Sequence, residues 1–269
     1  MKKQLRVSNI LPTTFLSTGL LSSLLLLPSI SSANEPEVQE TQESQEAQED
    51  ISPWAGNAEL GFIQTSGNSD TQSFNGKFNL VHELEPSTTS LKLEALTSEE
   101  DGTSSKEKYL AELKYDYALS DRSYVASFLG YEDDRFNGYE YQSTLAVGYG
   151  YKAWNDKKKG KLELEVGPGY RRNVLEQRNE DNEKIEQEAV GRASLNLLVN
   201  IGEGAKFTEV LSVEGGDSKI VYKSDMGIQS TLVGALAMKI NYQVKHTTDV
   251  PEGKKNTDSL VGVTLVYSF

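Results

Sequence analysis

Ser259-Leu260-Val261-Gly262-Val263-Thr264-Leu265-Val266-Tyr267-Ser268-Phe269, at the end of the sequence, sets Val261, Val263, Leu265, Tyr267 and Phe269 at every second position. Successive side chains of a strand point to opposite faces, so this spacing reads as a β-strand with one wholly apolar face. The same period recurs upstream. Tyr109, Ala111, Leu113, Tyr115, Tyr117 and Leu119 alternate with Glu112, Lys114 and Asp116. Leu236, Met238, Ile240, Tyr242 and Val244 alternate with Lys239, Asn241, Gln243 and Lys245. Leu162, Leu164, Val166 and Tyr170 alternate with Glu163, Glu165 and Arg171.

About twelve such segments follow one another, near 54–66, 71–84, 89–98, 108–119, 123–132, 139–152, 161–172, 188–199, 206–215, 219–232, 235–247 and 256–269. Several sustain the alternation for about ten residues or more, the length a tilted membrane-crossing strand needs and longer than the usual strand of a soluble sandwich. The fold expected is therefore all-β: an antiparallel transmembrane β-barrel of about 12 strands. A soluble periplasmic β-sandwich is the alternative. Two stretches are less regular. In 206–215, Glu209 sits among Phe207, Leu211 and Val213, and the weak punctuation at Val233-Gly234-Ala235 leaves one long strand over 219–247 open.

An even strand number puts both ends on one side. With that side inward, the inner turns are 85–88, 120–122, 153–160, 200–205 and 233–234. The outer connections are 67–70, 99–107, 133–138, 173–187, 216–218 and 248–255. Tyrosine and tryptophan then gather at two levels, as membrane interfaces favour. Trp54, Tyr115, Tyr117, Tyr124, Tyr149, Tyr151, Trp154 and Tyr267 fall toward the inner end. Tyr109, Tyr131, Tyr139, Tyr141 and Tyr170 fall toward the outer.

The first residues read as an export leader. Lys2, Lys3 and Arg6 precede an apolar run that is densest at Leu20–Leu27, and Ser31-Ser32-Ala33 supplies small residues for cleavage after Ala33. Residues 1–33 are thus expected to be a signal peptide. Residues 34–52 carry seven acidic side chains and almost no large apolar ones, the composition of a disordered segment. The barrel is assigned to 53–269. The formal charge of −13 argues against nucleic acid as a partner, since phosphate binding needs a basic face. With no cysteine there is no thiol catalysis, disulfide framework or lipid-modified Cys.

Val261, Val263, Leu265, Tyr267 and Phe269 resemble the terminal signal by which outer-membrane barrels are recognised, which implies the barrel-assembly machinery and outer-membrane lipid as partners. A more specific resemblance rests on Trp54-Ala55-Gly56-Asn57-Ala58-Glu59-Leu60-Gly61 followed by Thr65-Ser66-Gly67-Asn68-Ser69. Val166-Gly167-Pro168-Gly169-Tyr170-Arg171, Tyr242-Gln243-Val244-Lys245, Pro251-Glu252-Gly253 and the closing Leu265-Val266-Tyr267-Ser268-Phe269 continue it across 54–269. The chain resembles a family grouped as a domain of unknown function and labelled salt-induced outer-membrane proteins. That resemblance implies a bacterial outer-membrane location and brings no catalytic or ligand residues.

Chemistry is sparse. A hydrolase of the Ser-His or Asp-His kind needs a general base, and only His82 and His246 are available. His82 lies on an apolar face near an inner turn. His246, at the outer rim with Asp249 nearby, is the base of the remote alternative, a rim-located hydrolase. Gly167-Pro168-Gly169 interrupts a strand and opens no helix, so it is no phosphate loop; it relieves crowding, bends the strand or marks a bulge. Glu99-Glu100-Asp101-Gly102 and Asp133-Asp134 lack calcium-loop spacing and read as solvated acidic loops. The reading is non-enzymatic, with no cofactor and no metal. The candidate functional surface is the inward face, with Glu112, Lys114, Asp116, Glu163, Glu165, Arg171, Lys239 and Lys245 among its charges. If these charges line water they make a narrow passive pore for ions or small solutes. If they pair, they make a closed structural barrel supporting the envelope under salt or osmotic stress. Twelve strands lie between filled eight-stranded and open sixteen-stranded barrels, so strand number leaves both readings standing.

Overall fold

The computed structural model describes residues 52–65, 71–135, 137–156, 158–179 and 182–269. The expected leader, almost all of the acidic segment and the turn at 67–70 lie outside them. The described chain forms twelve strands: β1 (Trp54–Thr65), β2 (Thr71–Leu84), β3 (Ser87–Glu100), β4 (Thr103–Ala118), β5 (Ser123–Asp134), β6 (Tyr139–Asp156), β7 (Gly160–Leu175), β8 (Ile185–Asn200), β9 (Ala205–Gly215), β10 (Ile220–Val233), β11 (Leu236–Thr247) and β12 (Thr257–Ser268). Each pairs antiparallel with its sequence neighbours, and β1 pairs with β12 to close a barrel.

The closing seam rests on the stretch that decided the fold. Its register runs from Asn57↔Ser268 to Leu60↔Leu265. Phe269 extends it, because its N–H donates to the Gly56 carbonyl at 3.0 Å and the Gly56 N–H donates to the Phe269 carbonyl at 2.9 Å. The Phe269 ring lies across Gly56 toward Phe78, with ring centroids 6.2 Å apart. A side chain at position 56 would begin 2.7 Å from that ring and 2.8 Å from the Asn79 carbonyl, so glycine is needed for the close approach.

Burial is inverted relative to a soluble protein. Val261, Val263, Leu265, Leu145, Val147 and Ile240 are exposed on the outer wall, whereas Glu59, Lys77, Glu94, Glu132, Glu165 and Arg171 are buried within. That inversion belongs to a barrel whose solvent is hydrocarbon. The strands run further than the sequence pattern indicates. The outer loop expected at 99–107 is only Asp101-Gly102, both with positive φ (50° and 73°), a two-residue hairpin turn matching the strands' twist. The loop at 173–187 shortens to 176–184, since β7 continues to Leu175 and β8 begins at Ile185. The chain turns at Gly234, φ 54°, so 219–247 is two strands.

Two tyrosines assigned to the aromatic levels point inward instead. Tyr124 is buried and donates to Glu165 at 2.8 Å. Gly150 lies opposite it, and any side chain there would collide with the ring. Tyr139 is turned into the lumen by a register shift between Tyr139 and Tyr141, since one extra residue exchanges the faces. At Gly167-Pro168-Gly169 the register does not shift. A side chain at Gly167 would meet the backbone at Val147–Gly148, so crowding is what the glycine relieves.

Glu209 is the exception on the outer wall. Its register partners are Leu197 and Met226, and the alternation of β9 puts it on the face of Leu211 and Val213. It is buried there and accepts from the Ser224 hydroxyl at 2.8 Å. A carboxylate on a lipid-facing wall costs stability that one hydroxyl offsets only in part. Glu209→Leu is therefore expected to raise stability in lipid vesicles by about 1–2 kcal/mol, and Ser224→Ala to lower it, in urea titrations. A Glu209→Leu barrel less stable than its parent would contradict this account.

Candidate functional site

The inward positions assemble a lumen of paired charges in three tiers. Nearest the termini, Lys239 meets Glu59 at 3.1 Å across β12, and the Thr264 hydroxyl donates to the same carboxylate at 3.4 Å. Lys114 pairs with Glu165 and, at 2.9 Å, with Asp116. Glu165 also accepts from Ser194 at 3.0 Å. Below them Glu163 meets Lys161 at 3.4 Å.

The middle tier spans the lumen. Lys77 on β2 lies 3.5 Å from Asp225 on β10 and 3.8 Å from Glu94. Lys92 lies 3.7 Å from Glu112 and 3.9 Å from Asp225. Gln243 donates to Asp225 at 2.9 Å.

In the outer tier, Glu132 on β5 gathers three lysines: Lys245 at 2.5 Å, Lys223 at 3.0 Å and Lys108 at 3.9 Å. Lys245 also donates to Gln142 at 2.9 Å. Arg192 lies 3.4 Å from Glu214, with its guanidinium 4.0 Å over the Phe128 ring. Nearer the rim, Arg171 binds Glu188 at 2.5 Å and the Lys219 carbonyl at 2.9 Å. The Lys219 ammonium donates to Tyr139 at 2.7 Å and Glu186 at 2.9 Å.

All eight lumen charges singled out in the sequence face inward and are paired: Glu112, Lys114, Asp116, Glu163, Glu165, Arg171, Lys239 and Lys245. Lys108, Glu132, Glu214, Lys219, Lys223 and Asp225 join them without having been singled out. Asp134, read as part of an acidic loop, ends β5 and is buried. Leaving the rim and inner-mouth pairs aside, eight cations meet eight carboxylates in the three tiers. Within these pairs the partners are shared unevenly, and Glu132 takes three lysines.

Free space is divided accordingly. A cavity of about 120 Å³ lies beside Glu132, between Lys92, Lys108, Lys223 and Lys245, and one of about 40 Å³ adjoins it at Arg192 and Thr144. The mouths are wider: about 470 Å³ at the inner end by Lys206 and Gln229, and about 310 Å³ at the outer end by Lys254 and Asn256.

The histidines stand outside this network. His82 stacks on Trp54 with centroids 4.1 Å apart. His246 has its Nδ1 2.8 Å from the Thr257 hydroxyl and its ring 6.1 Å from Tyr222. Among the described residues, no three His, Cys, Asp or Glu side chains form a metal cluster.

Residues 58–269 match the model of a family described as proteins of unknown function, DUF481. The chain belongs to this family. A relative, the uncharacterized protein YdiY of Escherichia coli K12, is 27% identical over 217 residues, 80% of this chain and 83% of its own length. Among solved structures, an outer-membrane channel from Pseudomonas putida F1 is similar at 12% identity and a TM-score of 0.48, over 80% of this chain and 95% of that one. The NanC porin is similar at 12% identity and 0.45, over 79% and 97%.

Breaking one buried pair should cost more than removing both partners, because a lone charge is left in low dielectric. Glu59→Leu is expected to destabilise the barrel by about 3 kcal/mol in urea titrations, and adding Lys239→Met to recover most of that loss. Equal losses in the single and double variants would show that the pair is not coupled.

Proposed function

We propose that this protein is an outer-membrane barrel acting as a narrow passive pore for ions and other small solutes. One observation carries the reading: among the described residues the lumen is filled by side chains with cavities between them, and the cavity at Glu132 shares Lys245 and Asp258 with the wider outer mouth. Its polar atoms favour a hydrated interior. The Asn241 amide, the Asn75 carbonyl oxygen and the Lys77 ammonium are buried with no hydrogen-bond partner among the described residues. Buried polar groups take their bonds from protein or from water, and water is what fits here. Ion pairs held by flexible lysine stems reorganise more readily than an apolar plug. The space between them suits inorganic ions rather than sugars.

A closed structural barrel is the second reading. The pairs from Lys77 to Asp225 and from Lys223 and Lys245 to Glu132 favour it, because they tie distant strands across the lumen. Recording from folded protein in a planar bilayer separates the two. Small, reproducible conductance steps are expected for the pore, and their reproducible absence would leave the closed barrel.

Delivery to the membrane is assigned to the apolar alternation from Val261 to Phe269, read by the barrel-assembly machinery after removal of residues 1–33. Phe269→Ala keeps the backbone pair with Gly56. It is expected to refold into vesicles like its parent, while the amount recovered in the outer-membrane fraction falls several-fold. An unchanged cellular yield would remove the aromatic end from this role.

A further inference from the structure

Glu209 and Tyr242 carry unmet hydrogen-bonding capacity on one stretch of the outer wall. Glu209 is the fifth residue of β9 and Tyr242 the seventh of β11, so each stands near mid-length of its strand, away from both membrane interfaces. Met226 of β10 has Glu209 as its register partner on one side and Tyr242 on the other. The two therefore share one row, two strands apart, with backbones roughly 10 Å from each other. Among the described residues Glu209 accepts from the Ser224 hydroxyl alone, and at one of its two oxygens. Tyr242 is exposed, and its hydroxyl has no hydrogen-bond partner among the described residues. A tyrosine at a membrane interface gives its hydroxyl to water, but one facing hydrocarbon has nothing to bond. An ionisable side chain at that depth is costlier still and marks a functional contact. The wall thus holds a donor without an acceptor and an acceptor short of a donor, set too far apart to meet within one barrel.

We propose that the β9–β11 wall is where two copies of this chain associate, about a two-fold axis that passes beside Met226. Both copies enter the membrane in the same sense, so the axis runs along the membrane normal. It brings Tyr242 of each copy against Glu209 of the other, and the same bond forms twice. The Tyr242 hydroxyl donates to the carboxylate oxygen that Ser224 leaves free. Glu209 lies low in its wall, and tyrosine is long enough to reach it from the facing one. Ile228 and Ile240, exposed on the same wall, supply apolar contact around the axis. Lipid tails pack against such residues as well as a second barrel does, so the hydrogen bonds are what favour the pair. Glu209 lowers the stability of a single barrel and supplies the contact between two. The association is independent of whether the lumen conducts.

The chain has no cysteine, so a single introduced thiol reports one position. With the full chain folded in phosphatidylcholine vesicles, Met226→Cys is expected to give a disulfide-linked dimer on mild oxidation. Leu93→Cys, on the exposed outer face of β3 across the barrel, is expected to stay monomeric. In sedimentation equilibrium in detergent, Tyr242→Phe and Glu209→Leu should each weaken dimerisation about tenfold, and the two together no more than either alone. Tyr242→Phe removes one oxygen from an exposed ring, and heat-modifiable migration verifies that each variant is folded. The stability gain expected of Glu209→Leu is read at high dilution in lipid, where barrels are single. Monomers at every concentration, or a Leu93→Cys cross-link as strong as that of Met226→Cys, would overturn the proposal. So would a dimer whose affinity Tyr242→Phe leaves unmoved, or one that Tyr242→Phe weakens and Glu209→Leu does not.

Discussion

Every backbone N–H and C=O of this sheet must find a partner within the sheet, and that requirement organises the rest of the molecule. In hydrocarbon no water relieves an open edge, so the strands close or do not span. Closure depends on a seam whose register pairs run only from Asn57↔Ser268 to Leu60↔Leu265, extended by the exchange between Phe269 and Gly56. The neighbouring β1–β2 ladder, by contrast, runs unbroken from Trp54↔His82 to Thr65↔Thr71. The seam is short, and aromatic packing reinforces it. Phe269 lies between Phe78 and Tyr267, over a wall that Gly56 keeps flat.

Closure with an apolar exterior leaves the polar half of each alternating strand nowhere to go but inward. Twelve strands enclose more volume than a single layer of side chains fills, so long residues have to reach across. Lysine suits this, since its stem packs along the wall while its ammonium finds a carboxylate on another strand. The interior glycines serve the same geometry in reverse. Gly150 stands opposite Tyr124 because that ring and the Lys114–Glu165 pair already occupy the space. Glu209 shows the other side of the constraint. It falls in the outward register, and only the Ser224 hydroxyl and burial among apolar neighbours accommodate it.

The architecture was legible because alternation of period two is a property of each strand by itself. The twelve segments and the alternation that carries the eight lumen charges come from that local signal, whereas the inner turn expected at 153–160 is shorter because β6 runs on to Asp156 and β7 starts at Gly160. What escaped it was set by departures from strict alternation or by partners distant in sequence. Tyr139 reads as outward until the register shift before Tyr141 exchanges its face. Tyr124 shows no local sign of its place inside; Gly150, twenty-six residues on, makes room for it. Asp101-Gly102 is a hairpin signal that the surrounding acidic residues disguised as a loop. Asp133-Asp134 looks like a solvated run for a similar reason, yet the strand that holds Glu132 continues through it and turns Glu132 and Asp134 inward. The three lysines around Glu132 come from β4, β10 and β11, a meeting that no spacing along the chain encodes.

A lumen can be filled by apolar side chains or by paired charges, and this one holds paired charges. An apolar plug of equal volume would stabilise a closed barrel at least as well, since buried ion pairs seldom exceed hydrophobic packing in stability. Paired charges are therefore poorly explained by stability alone. Flexible lysine stems permit exchange of one partner for another without stranding either, and polar atoms without a protein partner favour water between them. No tier matches its charges one to one: Lys114 meets both Glu165 and Asp116, and Lys77 and Lys92 share Asp225. In the outer tier Lys108, Lys223 and Lys245 share Glu132, and Asp134 and Asp258 stand opposite Lys108 and Lys245 in the strand register. Shared partners of this kind leave each charge an alternative when one contact breaks, which an isolated pair in low dielectric does not have.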